Sequence, residues 1–311
     1  MNILTEHDFN ITTIDTGFVA ARFAASYLIT ENNHAVYIET GANSSLPNLL
    51  KALEYHNIPV ENVDYVIVTH VHLDHAGGAG QIMQHLPNAS FVVHPYGARH
   101  MIDPSKLVAG SKAVYGDEAF QASYGDIVPI PEERVIKAAD EHVINFQGRQ
   151  LLFLDTPGHA RHHFCIFDER SKSFFTGDTF GISFRDFDTD KGVLIFASTT
   201  PIQFDPPAMH NSIDRLLQYK PEKMFLTHYD AVTNVSMLAE KLHISIDKQV
   251  DIMKSVANSD RRHTLLRKEL MNHLVAELQT LGYTLNDNEI RRKLADEVEI
   301  NAQGLEIWWD K

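Results

Sequence analysis

The chain has 311 residues, 44% hydrophobic and 22% charged, which suits a folded protein with a sizeable core. Its net charge of −14 argues against nucleic acid as a partner, because gripping a phosphate backbone needs clustered Lys and Arg. A single cysteine, Cys165, excludes an intramolecular disulfide framework. Residues 1–10 carry Glu6, Asp8 and no long apolar run, so they read as neither signal peptide nor membrane span, and cytoplasm is the expected compartment.

In chain order, Ile11 to Ile14, Ser26 to Thr30 and Ala35 to Ile38 are short β-rich runs that predict consecutive antiparallel strands. Glu39-Thr40-Gly41 ends the third. Leu46, Leu49, Leu50 and Leu53 recur at helical spacing within Ser45 to Asn57, with Ser45 as cap and Pro47 in the first turn. The apolar run Tyr65-Val66-Ile67-Val68 then predicts a buried strand. It delivers Thr69-His70-Val71-His72-Leu73-Asp74-His75-Ala76-Gly77-Gly78, four potential metal ligands within six residues. His70 and His72 are two apart, so an extended chain turns both rings to one side. Asp74 and His75 follow where the chain must turn, and Gly77-Gly78 let a helix start close by. Imidazole and carboxylate together suit zinc, iron and similar divalent metals.

A short helix around Gln81 to His85 and a strand from Ser90 to Val93 follow. Residues 95–132, rich in Pro and Gly but holding Tyr96, Tyr115, Phe120 and Tyr124, read as a partly helical lid. Strands resume at Glu141 to Phe146, Gln150 to Leu154, His163 to Phe167 and Ser173 to Phe175, with Gly148 marking a hairpin. Three further apolar runs end on a His or Asp: Asp155-Thr156-Pro157-Gly158-His159, Phe175-Thr176-Gly177-Asp178-Thr179 and Phe225-Leu226-Thr227-His228-Tyr229. Residues 181–207 form a second irregular stretch, followed by a helix from Pro207 to Tyr219 and a strand from Lys223 to Thr227. Beyond Asn234 the spacing is helical. Helices are predicted over Met237 to Met253, Arg262 to Leu281 and Asn286 to Val298, with Trp308 and Trp309 docking near the end.

The four motifs, in this order and at these separations, resemble the metallo-β-lactamase superfamily, whose signature is H-x-H-x-D-H; the match covers roughly residues 10–230. The resemblance implies an α/β fold, an αββα four-layer sandwich over residues 1–233, with a C-terminal helical extension over 234–311. It implies two divalent metal ions, zinc first and iron or manganese as alternatives. His70, His72 and His159 would hold one, Asp74, His75 and His228 the other, with Asp178 bridging. A hydroxide between the metals would then hydrolyse a small ester, thioester, lactone or phosphodiester, with Asp74 and Asp178 as the catalytic carboxylates. No Gly-x-Ser-x-Gly offers a protein nucleophile.

Many members have Asp where this chain has Glu39. Class B β-lactamases lack the bridging Asp, so Asp178 counts against β-lactam hydrolysis. Flavodiiron reductases carry Glu where this chain has His72, and quorum-signal lactonases carry Tyr where it has Gly181. Glyoxalase II looks similar in H-x-H-x-D-H-x-G-G and in its helical C-terminal part. Two other readings stand beside hydrolysis: a mononuclear iron dioxygenase like the persulfide dioxygenases, and a non-catalytic metal-binding protein. The expected partner is a small-molecule substrate, with no nucleic acid and no membrane, and a homo-oligomer would form through the C-terminal helices.

His163 either orients a ligand from behind or faces outward. His162 points the opposite way and reads as surface. Tyr229 is a wall residue or hydrogen-bonds substrate, and Arg185 meets an anion or pairs with Asp186 or Asp188. His94, His100, His210, His243, His263 and His273 read as structural or solvent-exposed.

Overall fold

The structure, a computed structural model, describes residues 3–284 and 286–311. Met1, Asn2, Leu285 and the Tyr115 side chain, with whatever the sequence suggested for them, lie outside the described residues. The chain gathers into two compact units. One holds everything described up to Asp155 together with His162–Gly177 and Lys220–Thr233; the other holds Thr156–Arg161, Asp178–Tyr219 and Asn234–Lys311.

The first unit carries two sheets. Strands β1 (Leu4–His7), β2 (Ile11–Asp15), β3 (Ala25–Glu31), β4 (His34–Ile38), β5 (Val63–Ile67), β6 (Ser90–Val93) and β7 (Val135–Lys137) lie side by side in chain order. The first four pair antiparallel and β4 to β7 pair parallel. The second sheet has β8 (Val143–Phe146), β9 (Arg149–Asp155), β10 (Phe164–Asp168), β11 (Ser173–Phe175), β12 (Lys223–Leu226) and β13 (Asp230–Val232). Its order is β13-β12-β11-β10-β9-β8, antiparallel except between β11 and β12.

Side-chain alternation along each strand decides what meets what. Val36 and Ile38 of β4, Ile67 of β5 and Val92 of β6 share one buried core with Phe146, Phe153, Phe164, Ile166, Phe175 and Phe225 of the second sheet. Ala35, Tyr37, Val66, Phe91 and Val93 point the other way and pack with helix residues. These come from α1 (Leu46–His56) and from α3 (Ala79–His85), which follows the one-turn helix α2 (Leu73–Ala76). Parallel strands buried on both faces read as unbroken apolar runs, which is why β5 stands out in the sequence.

Residues 95–124 are more regular than their composition suggests: they form α4 (Pro95–Ile102), α5 (Ser105–Tyr115) and α6 (Asp117–Tyr124). Their Pro and Gly residues are helix punctuation. Pro95 opens α4, Pro104 precedes α5, and Gly116 and Gly125 end α5 and α6 at positive φ. Phe120 and Tyr124 pack with Leu73, so α6 leans on the helix that carries Asp74 and His75. Strands β1, β7 and β13, of four, three and three residues, are short and mostly half-buried or exposed, and they are absent from the sequence reading.

The second unit is helical: α7 (Pro206–Leu217), α8 (Val235–Val256), α9 (Arg262–Thr280), α10 (Asp287–Lys293) and α11 (Ala295–Trp309). Here the sequence reading needs correcting. The expected third tail helix is two helices, broken at fully buried Leu294, and α11 runs on through Trp308 and Trp309. Trp308 packs edge-on to Phe204, with ring centroids 6.1 Å apart. The tail also grips the stretch after Asp178. Thr199 N donates to Asn301 Oδ1 at 2.8 Å, Gln249 Nε2 to Ala197 O at 2.8 Å, and Ala197 N to Ser245 Oγ at 3.1 Å. No described helix is long and apolar enough to cross a membrane.

Candidate metal centre

Just past the end of β5, Thr69 and His70 are fully buried, and the chain stays extended through His72 (φ −63°, ψ 147°) before α2 begins. His70 and His72 therefore turn to the same side: His70 Nε2 lies 2.9 Å from His72 Nδ1. On α2, Asp74 Oδ2 comes within 3.5 Å of His75 Nε2 and 3.2 Å of His228 Nε2, the latter delivered by the end of β12. Asp74, His75 and His228 can hold a metal, since one donor atom from each lies within 4.8 Å of the others. Gly77 and Gly78 permit the tight return. A Cβ on Gly77 would stand 2.4 Å from the Leu73 carbonyl oxygen, and one on Gly78 would stand 2.8 Å from that of Ala42.

Hydrogen bonds settle which nitrogen each ring presents. Glu39 is the hub, buried at the end of β4. Its carboxylate accepts from Thr69 N at 3.2 Å, Thr69 Oγ1, Thr227 Oγ1 at 3.2 Å and His75 Nδ1 at 3.1 Å. A carboxylate only accepts, so Nδ1 of His75 carries the proton and Nε2 keeps its lone pair. The Thr69 hydroxyl spends its proton on Glu39 and so accepts from His70 Nδ1 at 3.1 Å, which leaves His70 Nε2 facing His72 Nδ1. His228 Nδ1 donates to the Phe23 carbonyl at 3.1 Å and so turns Nε2 toward Asp74 Oδ2, 3.2 Å away.

Three imidazoles are thus fixed in the tautomer a metal requires, by partners behind them. Glu39 itself comes close to His70 and His75, but it faces their donors and orients them rather than competing for a metal. It holds φ at 66°, rare for a residue with a side chain, and its four hydrogen bonds keep it there. From sequence Glu39 stands out only as a departure from the usual Asp; the signal for its role is a carboxylate closing a buried strand.

In the second unit, His159 Nε2 lies 3.4 Å from Asp178 Oδ2. The loop bearing His159 is pinned from both sides. Asp205 N donates to Gly158 O at 2.8 Å, Ser212 Oγ to Pro157 O at 2.6 Å, and Thr179 Oγ1 to Thr156 O at 3.3 Å. Of the seven proposed ligands, five gather in the first unit and two in the second.

The neighbours sort out as follows. His163 is buried and stacks on His70, one of the seven proposed ligands, with ring centroids 4.8 Å apart. Gly177 is needed beside it, at φ 49°, where a Cβ would stand 2.5 Å from His163 Nε2. His162 is a correction: it is buried, not surface, with its ring 5.7 Å from that of His72, because the turn before β10 brings both histidines inward. Tyr229 is buried in the core between the sheets, and Arg185 pairs with Asp188 at 3.4 Å. His94 is buried, with Nε2 3.1 Å from Asp155 Oδ1 and Nδ1 capping α4 by accepting from Tyr96 N.

The family model of the metallo-beta-lactamase superfamily matches residues 19–228, which span all seven proposed ligands. The chain belongs to that superfamily. Metallo-beta-lactamase fold-containing protein ST1585 of Sulfurisphaera tokodaii is 24% identical over 251 residues, covering 79% of this chain and 87% of that protein. The crystal structure of ST1585 from Sulfolobus tokodaii superposes with a TM-score of 0.66 at 22% identity, over 95% of this chain and 98% of that one, and so shows the shared fold. Thioesterase pkgB of Emericella nidulans is 27% identical over 155 residues, 49% of this chain and 34% of that protein. Hydroxyacylglutathione hydrolase of Aeromonas salmonicida is 25% identical over 190 residues, 61% and 54% respectively.

Proposed function

We propose that the chain is a metal-dependent hydrolase of small acyl substrates, thioesters foremost, with esters, lactones and phosphodiesters as the wider class. The observation that carries the reading is the convergence of donor atoms of Asp74, His75 and His228 within 4.8 Å of one another, with Nδ1 of His75 and of His228 each tied to an oxygen on its far side. A donor set of imidazoles and carboxylates prepared in this way fits divalent zinc, iron or manganese. His70, His72 and His159 would hold one ion and Asp74, His75 and His228 a second, with Asp178 shared. Bound there, such ions supply Lewis acidity, making water nucleophilic near neutral pH and polarising a carbonyl oxygen.

The protein's own part is positioning and proton handling. Asp74 is about a quarter exposed while His75 beside it is fully buried, so among the first unit's five residues its carboxylate is placed to take the proton that water loses on attack. Thioester hydrolysis then balances as one water consumed, with a carboxylic acid and a thiol released. Thioesters come first because relatives at comparable identity carry the names thioesterase and hydroxyacylglutathione hydrolase. The −14 charge of the chain favours small molecules over nucleic acid.

The test is a panel of ester, lactone, thioester and phosphodiester substrates turned over by metal-reconstituted protein, with metal counted per chain. Thioester turnover above the other classes, with two ions bound, is the expected outcome. A single iron per chain and oxygen consumption without hydrolysis would replace the reading with a dioxygenase.

A further inference from the structure

A second group of metal-binding side chains lies apart from those seven residues and plays no part in the proposed reaction. It sits in the second unit, where α7 packs along α8. The two helices carry the same frame, His210-Asn211-Ser212-Ile213-Asp214 and His243-Ile244-Ser245-Ile246-Asp247. A spacing of four puts the His and Asp of each helix on one face. Fully buried Ile213 and Ile246 hold the helices in place.

The contacts cross between helices. His210 Nε2 lies 3.2 Å from Asp247 Oδ1, and His243 Nε2 lies 3.2 Å from Asp214 Oδ1. Ionised carboxylates only accept, so both Nε2 atoms are donors. The rings stack at 8° with centroids 4.9 Å apart, and their Nδ1 atoms approach to 2.6 Å. Two bare lone pairs at that distance repel, so the contact calls for a cation between the nitrogens. A proton shared by the pair is one such cation; a metal ion is the other. A ring whose far nitrogen is tied to a carboxylate is also the usual form of a metal-ligating histidine.

We propose that His210 and His243 form a separate site for a late first-row divalent ion, copper(II), nickel or zinc, with Asp214 and Asp247 orienting the rings. Imidazole pairs suit these ions. Two nitrogens on one tetrahedral ion stand about 3.3 Å apart, so the rings need to part by less than an ångström. They have the room, because each ring is 26% exposed and the two carboxylates are mostly in solvent. Water completes the coordination. The site also bears on the loop of His159, since Ser212 of the same frame donates to Pro157 O.

The test uses the full-length protein with its resident metals in place, titrated with copper(II) at pH 7.5. Equilibrium dialysis gives the stoichiometry and electron paramagnetic resonance the nitrogen ligands. The wild type should bind one ion more than His210→Asn or His243→Asn, with a signal split by two imidazole nitrogens that both variants lose. Asp214→Asn and Asp247→Asn should keep the ion but bind it ten- to a hundredfold more weakly. Circular dichroism identifies variants that fold, and His210→Gln and His243→Gln stand in for any that do not. Equal stoichiometry and an unchanged signal in folded His243 variants would overturn the proposal and leave a shared proton as the occupant.

Discussion

His70 and His75 after β5 and the pair joining α7 to α8 follow one rule: each ring gives an N–H to an oxygen and so turns its other nitrogen away from that partner. They differ in what holds them. His70 and His75 are fully buried, and both trace back to one buried carboxylate, Glu39, which closes a strand. His210 and His243 lie at the surface of a helix pair, each oriented by a single exposed Asp. Burial removes alternative rotamers and competing water, so the first group keeps its geometry whatever is bound, whereas the second depends on the cation between its rings. Position on the scaffold, more than residue type, separates a preorganised centre from an adaptable one.

The strongest way to break the comparison is to remove a ligand from each group. Asp178→Ala should lose at least one metal and nearly all hydrolysis, because two cations would face each other without a shared carboxylate. His243→Asn should leave turnover within about twofold, the range expected of a surface change away from the chemistry. Elemental analysis and kinetics on both variants decide it. Two tightly held ions in Asp178→Ala would remove the dinuclear assignment.

A smaller effect is expected behind the ligands. Glu39→Gln keeps the shape but turns one acceptor oxygen into a donor, which cannot face the N–H of His75 or Thr69. Metal affinity should fall ten- to a hundredfold, as it does when outer partners of ligating histidines are lost. Glu39→Asp keeps the charge but shortens the reach and should fall in between. Competition with a chelator measures both, and wild-type affinity in Glu39→Gln would show that burial alone fixes the rings.

The second unit allows a test of how far its tail supports His159. A Cβ on Gly304 of α11 would stand 1.5 Å from the Thr199 carbonyl oxygen, so Gly304→Ala must push α11 or that segment aside. The segment includes Ser198, whose carbonyl lies 3.4 Å from His159 Nδ1, and Thr200, whose hydroxyl is 3.3 Å from the same nitrogen. Overpacking of this kind costs roughly 1–3 kcal/mol. Thermal denaturation should show the loss, and turnover should fall at temperatures where the variant remains folded. Full stability with full activity would mean that α11 yields without moving the segment.

Much of this could be read before any coordinates. The H-x-H-x-D-H run, the strand feeding it and the three later strand-end motifs were legible because apolar periodicity and ligand spacing are both local. What escaped was local structure without a pattern, or pattern without local meaning. β1, β7 and β13 are short and little buried, so they lack the apolar run that marks β6 and β11. The Pro and Gly of residues 95–124 cap helices rather than break them, and only φ distinguishes the two uses. His162 faces inward because of a turn that spacing does not encode. The pairing of the tail with residues 178–219 joins positions such as Thr199 and Asn301, 102 apart, and no window along the chain reaches so far. The His210 and His243 frames were visible as words, but their register across two helices was not.

The smallest effect concerns acid, and it asks whether burial governs histidines outside both groups. Burial pushes the pKa of His56 down, opposed by the charge of Glu6. Burial also lowers His273, with Glu277 opposing and Lys248 assisting, and it lowers His100, with Arg99 and Lys106 assisting. All three therefore sit below the ordinary 6.5 in the folded chain. Above pH 6.5 neither the folded nor the unfolded state carries these protons, and the three residues leave stability unchanged. As the pH falls below 6.5, the unfolded chain takes up protons that the fold resists, so stability declines until the folded pKa values are passed. Melting curves of metal-free protein in a chelator, from pH 7.5 to 5.5 at constant ionic strength, should show Tm falling by on the order of a few degrees. The triple variant His56→Gln, His100→Gln, His273→Gln should melt with a flatter pH dependence. Parallel curves for the two proteins would move the acid sensitivity to other groups, the histidines around Glu39 among them.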